Sequence, residues 1–276
     1  MNGNIYVIKA HGDKELFAPE KLIRSLKNSG ASDEMASDVL KSIESLLQDG
    51  MKTSDIYRLA FSLLHKKERV AAMRYSLKRA LMDLGPSGFP FENFLSEVFK
   101  RKGFTVERDM IVSGNCVDHE VDLVISSPEK RIMVEVKFHN EIGIKSDVKV
   151  ALYVAARFED IFIKQGGPTD TKKEEGWLIT NTKFTQAAIE YGMCKGLTMI
   201  GWNYPSKGNL QQLIEESGLH PLTCLSTLTT SQKQTLLSEG VVLCRDVVDH
   251  PRLPSLGVND AKLKKVIDEA RSLCGI

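Results

Sequence analysis

Two short hydrophobic segments, residues 120–125 and 131–137, constrain the fold of this chain more than any other part of its sequence. Ile132, Val134 and Val136 recur at every second position, a period of two that is typical of a strand. The intervening sequence Ser-Ser-Pro-Glu-Lys contains turn-forming residues. We therefore predict an antiparallel hairpin.

The hairpin lies within a longer α/β pattern that spans residues 86–205. Helical periodicity is present near residues 89–102, 145–163 and 185–195, and residues 165–175 form a polar loop. The strand-like segments are residues 105–107, 110–112, 120–125, 131–137, 177–180 and 197–202. This order predicts a mixed sheet flanked by helices, with a crossover helix before the last strands.

Two mainly helical domains are predicted on either side of this α/β domain. Residues 1–85 begin with a hairpin of strands 4–9 and 15–17, followed by four helices, the last over residues 70–84. Thr53 or Ser54 is expected to cap the third helix. Gly85-Pro86-Ser87-Gly88 marks the first boundary, and residues 206–276 form the third domain.

The composition excludes several classes of protein. The net charge is +1 and 42% of the residues are hydrophobic, as in ordinary globular proteins. The five cysteines form no C-x-x-C pair, so we predict reduced structural thiols rather than a zinc site or a disulfide framework. The N-terminus lacks the apolar segment of a secretion signal and no run of about 18 apolar residues occurs, so a cytoplasmic protein without membrane contact is expected.

The predicted hairpin carries a set of residues suited to phosphodiester chemistry. Glu135 and Lys137 share one face of their strand, and strand pairing would bring Asp122 near Glu135. Two converging carboxylates suit Mg²⁺, which can lower the pKa of a bound water. Lys137 could hold the attacking water or stabilise the charged phosphate. The alternative is a solvent-exposed cross-strand charge pair without catalytic function.

The order of motifs resembles the PD-(D/E)xK nuclease superfamily, with the Mrr-like restriction endonucleases and archaeal Holliday-junction resolvases most similar. The resemblance extends over about 115 residues of the chain. The segments that carry it are GFPFE at 88–92, GFTV at 103–106, HEVD at 119–122, EVK at 135–137 and LITNTKFT at 178–185.

This resemblance implies an active site that binds Mg²⁺ or Mn²⁺ and acts on DNA. Asp122, Glu135 and the backbone carbonyl of Val136 would be metal ligands. Lys137 would be the catalytic lysine, and Glu92 would assist the metal or the water.

Some neighbouring residues leave this assignment open. Glu97 is an alternative to the first-helix glutamate, but its five-residue offset places it on a different part of that helix. His119-Glu120 stands where many relatives have a glycine-containing stretch. His139 and Asn140 follow the motif and could contact DNA or lie on the surface.

Residues 3–84 resemble the ATP-cone, a nucleotide-sensing domain. The resemblance lies in VIK at 7–9, ELF at 15–17, KL at 21–22, GMKTSDI at 50–56 and RYSLKR at 74–79. It implies a binding site for ATP or dATP formed by Val7, Lys9, Glu15, Phe17, Lys21, Leu22, Thr53 and Lys78. Positive charge and a hydroxyl donor suit phosphates.

Two observations qualify this nucleotide site. Ala10 stands where these domains usually have an arginine, which removes a bidentate phosphate contact that His11 could partly replace. No Walker A motif occurs, so the nucleotide is expected to act as a regulatory ligand that shifts populations rather than as fuel. The alternative is a helical structural cap with a basic surface.

The C-terminal sequence LPSLGV at 253–258, followed by KLKK at 262–265, resembles a helix-hairpin-helix. In that motif the amides at a helix N-terminus hold a DNA phosphate, which would involve Gly257 and Lys262. Residues 236–241 resemble a degenerate second copy. Plain packing or dimerisation is the alternative for this region.

Together these patterns predict a Mg²⁺-dependent DNA endonuclease regulated by ATP or dATP and forming a homo-oligomer. Two other functions fit the same sequence. One is a nucleotide-responsive DNA-binding regulator with a silent nuclease fold, and the other is an assembly protein driven by its ATP-cone.

Overall fold

The computed structural model describes residues 5–9, 12–141, 143–164, 173–257 and 259–275. Three features predicted above fall outside these ranges. They are the substitution Ala10 with its neighbour His11, the hairpin residue Val258, and residues 165–172 of the predicted polar loop.

The N-terminal part contains the predicted hairpin and one further strand. Strand β1 (Tyr6–Ile8) pairs antiparallel with β2 (Lys14–Leu16) and parallel with β3 (Met51–Lys52). Two residues are too few to show a periodic pattern, and for this reason β3 was not predicted from the sequence.

Five helices follow or surround this small sheet. They are α1 (Pro19–Asn28), α2 (Asp33–Leu46), α3 (Thr53–Lys67), α4 (Arg69–Tyr75) and α5 (Leu77–Met82). Pro19 occupies the first turn of α1, where its missing N–H costs no hydrogen bond.

Two details of the predicted helices are wrong. The expected fourth helix is divided at Ser76 into α4 and α5. The periodic pattern of apolar residues gives no sign of this break. Thr53 is the first residue of α3 rather than its cap, and the capping position is Lys52, which makes no side-chain cap hydrogen bond.

The central part is a mixed α/β layer. Its helices are α6 (Phe89–Arg101), α7 (Val148–Lys164) and α8 (Gln186–Cys194). Its strands are β4 (Thr105–Ser113), β5 (Asp118–Ser126), β6 (Lys130–Lys137), β7 (Lys145–Ser146), β8 (Lys173–Thr180), β9 (Lys183–Phe184) and β10 (Thr198–Ile200).

The main sheet has five strands in the order β10-β8-β6-β5-β4, and β7 pairs with β9 separately. Strand β6 is interior, antiparallel to β5 and parallel to β8. The segments 105–107 and 110–112, predicted as separate strands, form the single strand β4. Asp109, which lies between them, has a φ of 53°. The polar loop predicted to reach residue 175 ends earlier, because β8 begins at Lys173.

The C-terminal part is helical, as predicted. It contains α9 (Leu210–Ser217), α10 (Thr230–Ser238) and α11 (Asp260–Cys274), with three short 3₁₀ turns between them. Glu269 on α11 is buried and accepts hydrogen bonds from the amides of Ser226 and Thr227, which ties the loop before α10 to the last helix. No helix among the described residues is long and apolar enough to cross a membrane.

The largest hydrophobic core crosses the predicted boundary at residue 85. It joins Leu77 and Leu81 of α5 to the buried face of α6, to one face of the main sheet, and to α9, α10 and α11. Thr223 lies in this core and donates a hydrogen bond of 2.6 Å to the carbonyl of Ala80. The predicted domain boundaries therefore stay a prediction, whereas the buried core extends across residue 85.

We predict that Thr223→Val lowers the free energy of unfolding by about 1–3 kcal/mol, because the buried Ala80 carbonyl loses its donor. Chemical denaturation would measure the change. Thr235→Val is the control, since that hydroxyl bonds within its own helix at the surface, and it should cost no more than about 0.5 kcal/mol. Equal effects of the two variants would contradict a shared core at Thr223.

Candidate active site

Asp122 lies where two neighbouring strands separate. The pairing of β5 with β6 runs from Ser126 opposite Arg131 to Leu123 opposite Val134 and extends no further within the described residues. One step beyond, Asp122 Oδ2 accepts a hydrogen bond of 2.6 Å from the amide of Val136. The side chain thus takes the place of a backbone acceptor and brings Asp122 to the strand that carries the Glu-x-Lys motif.

Glu135 and Lys137 lie on one face of β6, as the alternation predicted. Glu135 is 5% exposed, and its Oε1 lies 3.6 Å from Lys137 Nζ. The neighbouring Val134 and Val136 face the largest core on the other side of the sheet. Because β6 is paired on both edges by β5 and β8, the position of the motif is fixed by the sheet.

Arg157 on α7 is part of this site, although sequence reasoning did not identify it. Its Nη1 hydrogen-bonds Glu135 Oε2 and donates to the carbonyl of Glu120 at 2.9 Å. The guanidinium lies 4.6 Å from the ring centroid of Tyr153 and also bonds its hydroxyl. An arginine within an amphipathic helix gives no signal of its own, because which carboxylate it meets depends on how the helix packs.

Glu92 on α6 faces the same group of carboxylates. Burial and, after it, the negative charges of Asp122, Asp109, Glu135 and Glu120 together raise its pKa to about 7. A methyl group added at Gly88 would lie 2.9 Å from Glu92 Oε1, so the glycine leaves space for this carboxylate.

Glu97, the alternative to Glu92, lies elsewhere. Its carboxylate is 2.8 Å from Lys100 Nζ and 3.9 Å from Arg245, so it takes part in surface ion pairs. The structure therefore places Glu92 rather than Glu97 beside the motif.

The electrostatics of the site are those of crowded carboxylates. Burial is the largest influence on Asp122 and on Glu135 and raises both pKa values. The Asp122 charge raises the pKa of Glu135 further, whereas Arg157 and Lys137 lower the pKa values of both groups. Such a group holds protons until a cation or a cationic side chain compensates it.

The donor set fits a hard divalent cation. Two carboxylates and the nearby Val136 carbonyl are oxygen ligands of the kind that Mg²⁺ prefers. No group of three or more His, Cys, Asp or Glu side chains within the described ranges is arranged to hold a metal. The predicted set has two carboxylates and one backbone carbonyl, and one of those carboxylates, Glu135, is bonded to Arg157.

The residues after the motif are held by the sheet. The Asn181 side chain accepts from the His139 amide at 2.9 Å and donates to its carbonyl at 2.7 Å. His139 Nε2 lies 3.0 Å from Ser146 Oγ. Asn140 is exposed. Of the two residues suggested for DNA contact, only Asn140 is on the open surface.

A cavity of about 890 Å³ lies beside the small N-terminal sheet. Three of the predicted nucleotide-binding residues, Lys9, Thr53 and Lys78, line it. Further basic and aromatic residues line it that the sequence reasoning did not name as nucleotide contacts, although some belong to the segments that carry the ATP-cone resemblance. They are Lys52, Tyr57, Arg58, Arg74, Tyr75 and Arg79.

The other five predicted nucleotide-binding residues are not among those that line the cavity. Val7 and Leu22 are buried in the N-terminal core, and Phe17 packs against it. Glu15 pairs with Lys9 at 3.0 Å and with Lys21, and the hydrogen bonds from Lys21 and Lys9 lower its pKa to about 2.

The glycine of the predicted C-terminal hairpin has a left-handed backbone conformation. Gly257 has a φ of 68°, and Asn259 caps α11 by accepting from the Lys262 amide at 2.9 Å. The element before the glycine is one 3₁₀ turn (Pro254–Leu256) rather than a full helix. Lys262 Nζ lies 2.9 Å from Gln232 Oε1, so it is tied to α10.

Comparison with known proteins gives three family models that match successive parts of the chain. They are the ATP cone domain at residues 5–83, a restriction endonuclease domain (Mrr catalytic) at 85–201, and the AF1548-like C-terminal domain at 220–274. An uncharacterized protein of Archaeoglobus fulgidus is 36% identical over 183 residues, which is 66% of this chain and 100% of that protein. This chain belongs to the AF1548-like family.

A solved structure supports the same assignment. The structure titled "Crystal Structure of Protein of Unknown Function AF1548" is 34% identical in sequence to this chain and superposes with a TM-score of 0.55. The match covers 68% of this chain and 99% of the AF1548 chain. The predicted resemblance to Mrr-like nucleases with an ATP-cone is confirmed, and so is the predicted fold class. About a third of this chain has no counterpart in the Archaeoglobus relative.

We predict that the affinity of this AF1548-like protein for Mn²⁺ rises with pH up to about 7, the pKa of Glu92. Carboxyls with raised pKa values hold protons at acidic pH, and these protons compete with the cation. Isothermal titration calorimetry in buffers of different ionisation enthalpy would count the protons released. Glu92→Gln should reduce that number, and a pH-independent affinity would refute the prediction.

A second prediction concerns Arg157. Arg157→Gln should destabilise the metal-free protein by on the order of 3–5 kcal/mol, because the buried Glu135 loses its compensating charge. Mn²⁺ should then raise the melting temperature of the variant more than that of the wild type, since the cation replaces the lost arginine. Lys149→Gln on the same helix is the control, and equal metal-induced shifts in all three proteins would exclude competition at Glu135.

Proposed function

We propose that this AF1548-like protein is a Mg²⁺-dependent DNA endonuclease whose activity responds to ATP or dATP. The observation that carries the proposal is the meeting of Asp122, Glu135 and Lys137 where β5 and β6 separate. The match to a restriction endonuclease domain supports the reaction class. Glu135 is buried and Asp122 is half-buried, whereas Lys137 is 42% exposed and can reach a substrate.

Each residue of the motif has a role in phosphodiester hydrolysis. Asp122, Glu135 and the Val136 carbonyl would hold Mg²⁺ or Mn²⁺, which when bound polarises the phosphate and lowers the pKa of a water. Lys137 orients the attacking water or stabilises the negative charge that develops on the phosphate. Glu92, with a pKa of about 7, can accept a proton from that water near neutral pH.

Regulation by a nucleotide is supported by the ATP-cone match and by the basic cavity beside it. The nucleotide would act by binding one conformation or one oligomer better than another. DNA is then the substrate and the nucleotide is the effector, and a homo-oligomer is a common form for such regulation. Gly257 and Lys262 remain proposed contacts to the DNA backbone.

One observation favours the alternative of a silent nuclease fold. Arg157 bonds Glu135, one of the proposed metal ligands, and so competes with a cation for that carboxylate. A regulator that binds DNA without cutting it would have the same arrangement. Cleavage by the purified protein distinguishes the two.

We predict that Lys137→Met lowers the rate of DNA cleavage by about 10²–10³-fold, as expected for loss of a charge that stabilises the transition state. Glu135→Ala should abolish cleavage. Lys130→Met is a matched control, because Lys130 lies on the same strand and is also 42% exposed but pairs with Glu175. The assay would use linear, branched, single-stranded and methylated DNA with Mg²⁺, with and without ATP or dATP.

Two results would contradict the proposal of a nuclease active site at Glu135. Absence of cleavage of all four substrates with Mg²⁺ or Mn²⁺, with and without nucleotide, would support the silent fold. Cleavage that survives in Glu135→Ala would point to a different site.

A further inference from the structure

The cavity beside the ATP-cone is closed on one side by residues from outside that domain. Its lining includes Trp202, which follows β10, together with Gln211 and Glu215 of α9. All three lie beyond residue 83, where the ATP-cone match ends. The cavity volume of about 890 Å³ falls within the range of about 300–1,000 Å³ typical of small-molecule sites.

Hydrogen bonds join these three residues into one wall. The Gln211 amide donates to the Trp202 carbonyl at 3.2 Å, and Gln211 Nε2 donates to Glu215 Oε1 at 2.8 Å. Lys78 of the ATP-cone lies over the Trp202 ring, 5.8 Å from its centroid. The two sides of the cavity are thus in contact through Lys78 and Trp202.

The charges on the two sides differ. The ATP-cone side carries six basic residues, namely Lys9, Lys52, Arg58, Arg74, Lys78 and Arg79, whereas the acidic residue in the lining is Glu215. Within the described ranges, no carboxylate lies within ion-pair distance of Lys52, Arg74 or Lys78. Uncompensated positive charge on one wall attracts a polyanion, and the carboxylate opposite repels phosphates but accepts hydrogen bonds from hydroxyl or amino groups.

We propose that a nucleoside triphosphate binds across this cavity, with its phosphates on the basic wall and its nucleoside against Trp202, Gln211 and Glu215. An aromatic ring can stack on a base, and Gln211 and Glu215 offer the acceptors that the amino group and sugar hydroxyls need. The proposal rests on the proposed nucleotide control and adds that residues outside the ATP-cone bind the ligand.

This placement connects the nucleotide to the active site through the backbone. The Trp202 amide donates to the Thr182 carbonyl at 2.8 Å, and the Thr182 and Thr180 hydroxyls are 3.2 Å apart. Thr180 is paired with Lys137 in the sheet. A ligand that shifts Trp202 therefore acts on the end of β8, beside the catalytic lysine.

The experiment uses the fluorescence of Trp202 in the full-length protein. The chain has two tryptophans, so Trp177→Phe leaves Trp202 as the single emitter. Titration with MgATP should change the emission with saturation, and dATP should do the same. Inorganic tripolyphosphate should bind through the basic wall and change the emission less than MgATP does.

Substitutions test the wall directly by calorimetry. Trp202→Leu should weaken MgATP binding by about tenfold, the loss expected for one stacked base, while changing tripolyphosphate binding less than twofold, on the order of measurement error. Glu215→Gln should weaken MgATP binding as well. Glu216→Gln is the matched control, because this adjacent exposed glutamate pairs with Lys102 instead of lining the cavity.

The outcomes separate this inference from the nuclease proposal. MgATP binding that depends on Lys9 and Lys78 but leaves Trp202 emission and Glu215→Gln affinity unchanged would overturn the shared site and leave nucleotide control intact. Absence of any MgATP binding would also overturn the shared site. A saturable Trp202 response in a protein that never cleaves DNA would support the shared site and refute only the nuclease.

Discussion

The hydrogen bond from the Val136 amide to Asp122 is the interaction on which the candidate site depends. It ends the β5–β6 ladder at Leu123 without leaving the Val136 amide unpaired, which a buried strand could not tolerate at low cost. A carboxylate has two oxygens, so one can hold the strand while the other can ligate a cation. The bonded amide belongs to Val136, whose backbone carbonyl is the third proposed ligand.

The free-energy cost of placing several carboxylates close together explains why a positively charged group lies in the site. Asp122 and Glu135 raise the pKa of Glu92, and Asp122 raises the pKa of Glu135, within a partly buried space, so full ionisation of the group requires positive charge. Arg157 supplies that charge to Glu135. A divalent cation offers more charge at the same place, and for this reason the arginine and the metal are natural competitors for one carboxylate.

The sequence could predict those features that are local. The strand–turn–strand order and the shared face of Glu135 and Lys137 follow from a period of two, and both are present in the structure. Arg157 and Trp202 could not be identified, because their roles arise from helix packing and from the meeting of two sequence-distant parts. Val7 and Leu22 were predicted as nucleotide contacts but are buried in the N-terminal core, because an apolar residue fits a core position as well as a ligand-binding one.

Helix α5 is where the ATP-cone domain and the restriction endonuclease domain meet. Leu77 and Leu81 are buried in the core shared with the main sheet and the C-terminal helices, while the adjacent Lys78 points to the cavity and lies over Trp202. A close-packed core transmits displacement instead of absorbing it. A ligand that moves Lys78 must therefore either shift α5 against the main sheet or bind less tightly. Such a link between ligand affinity and the position of α5 is what a coupling free energy between the two sites requires.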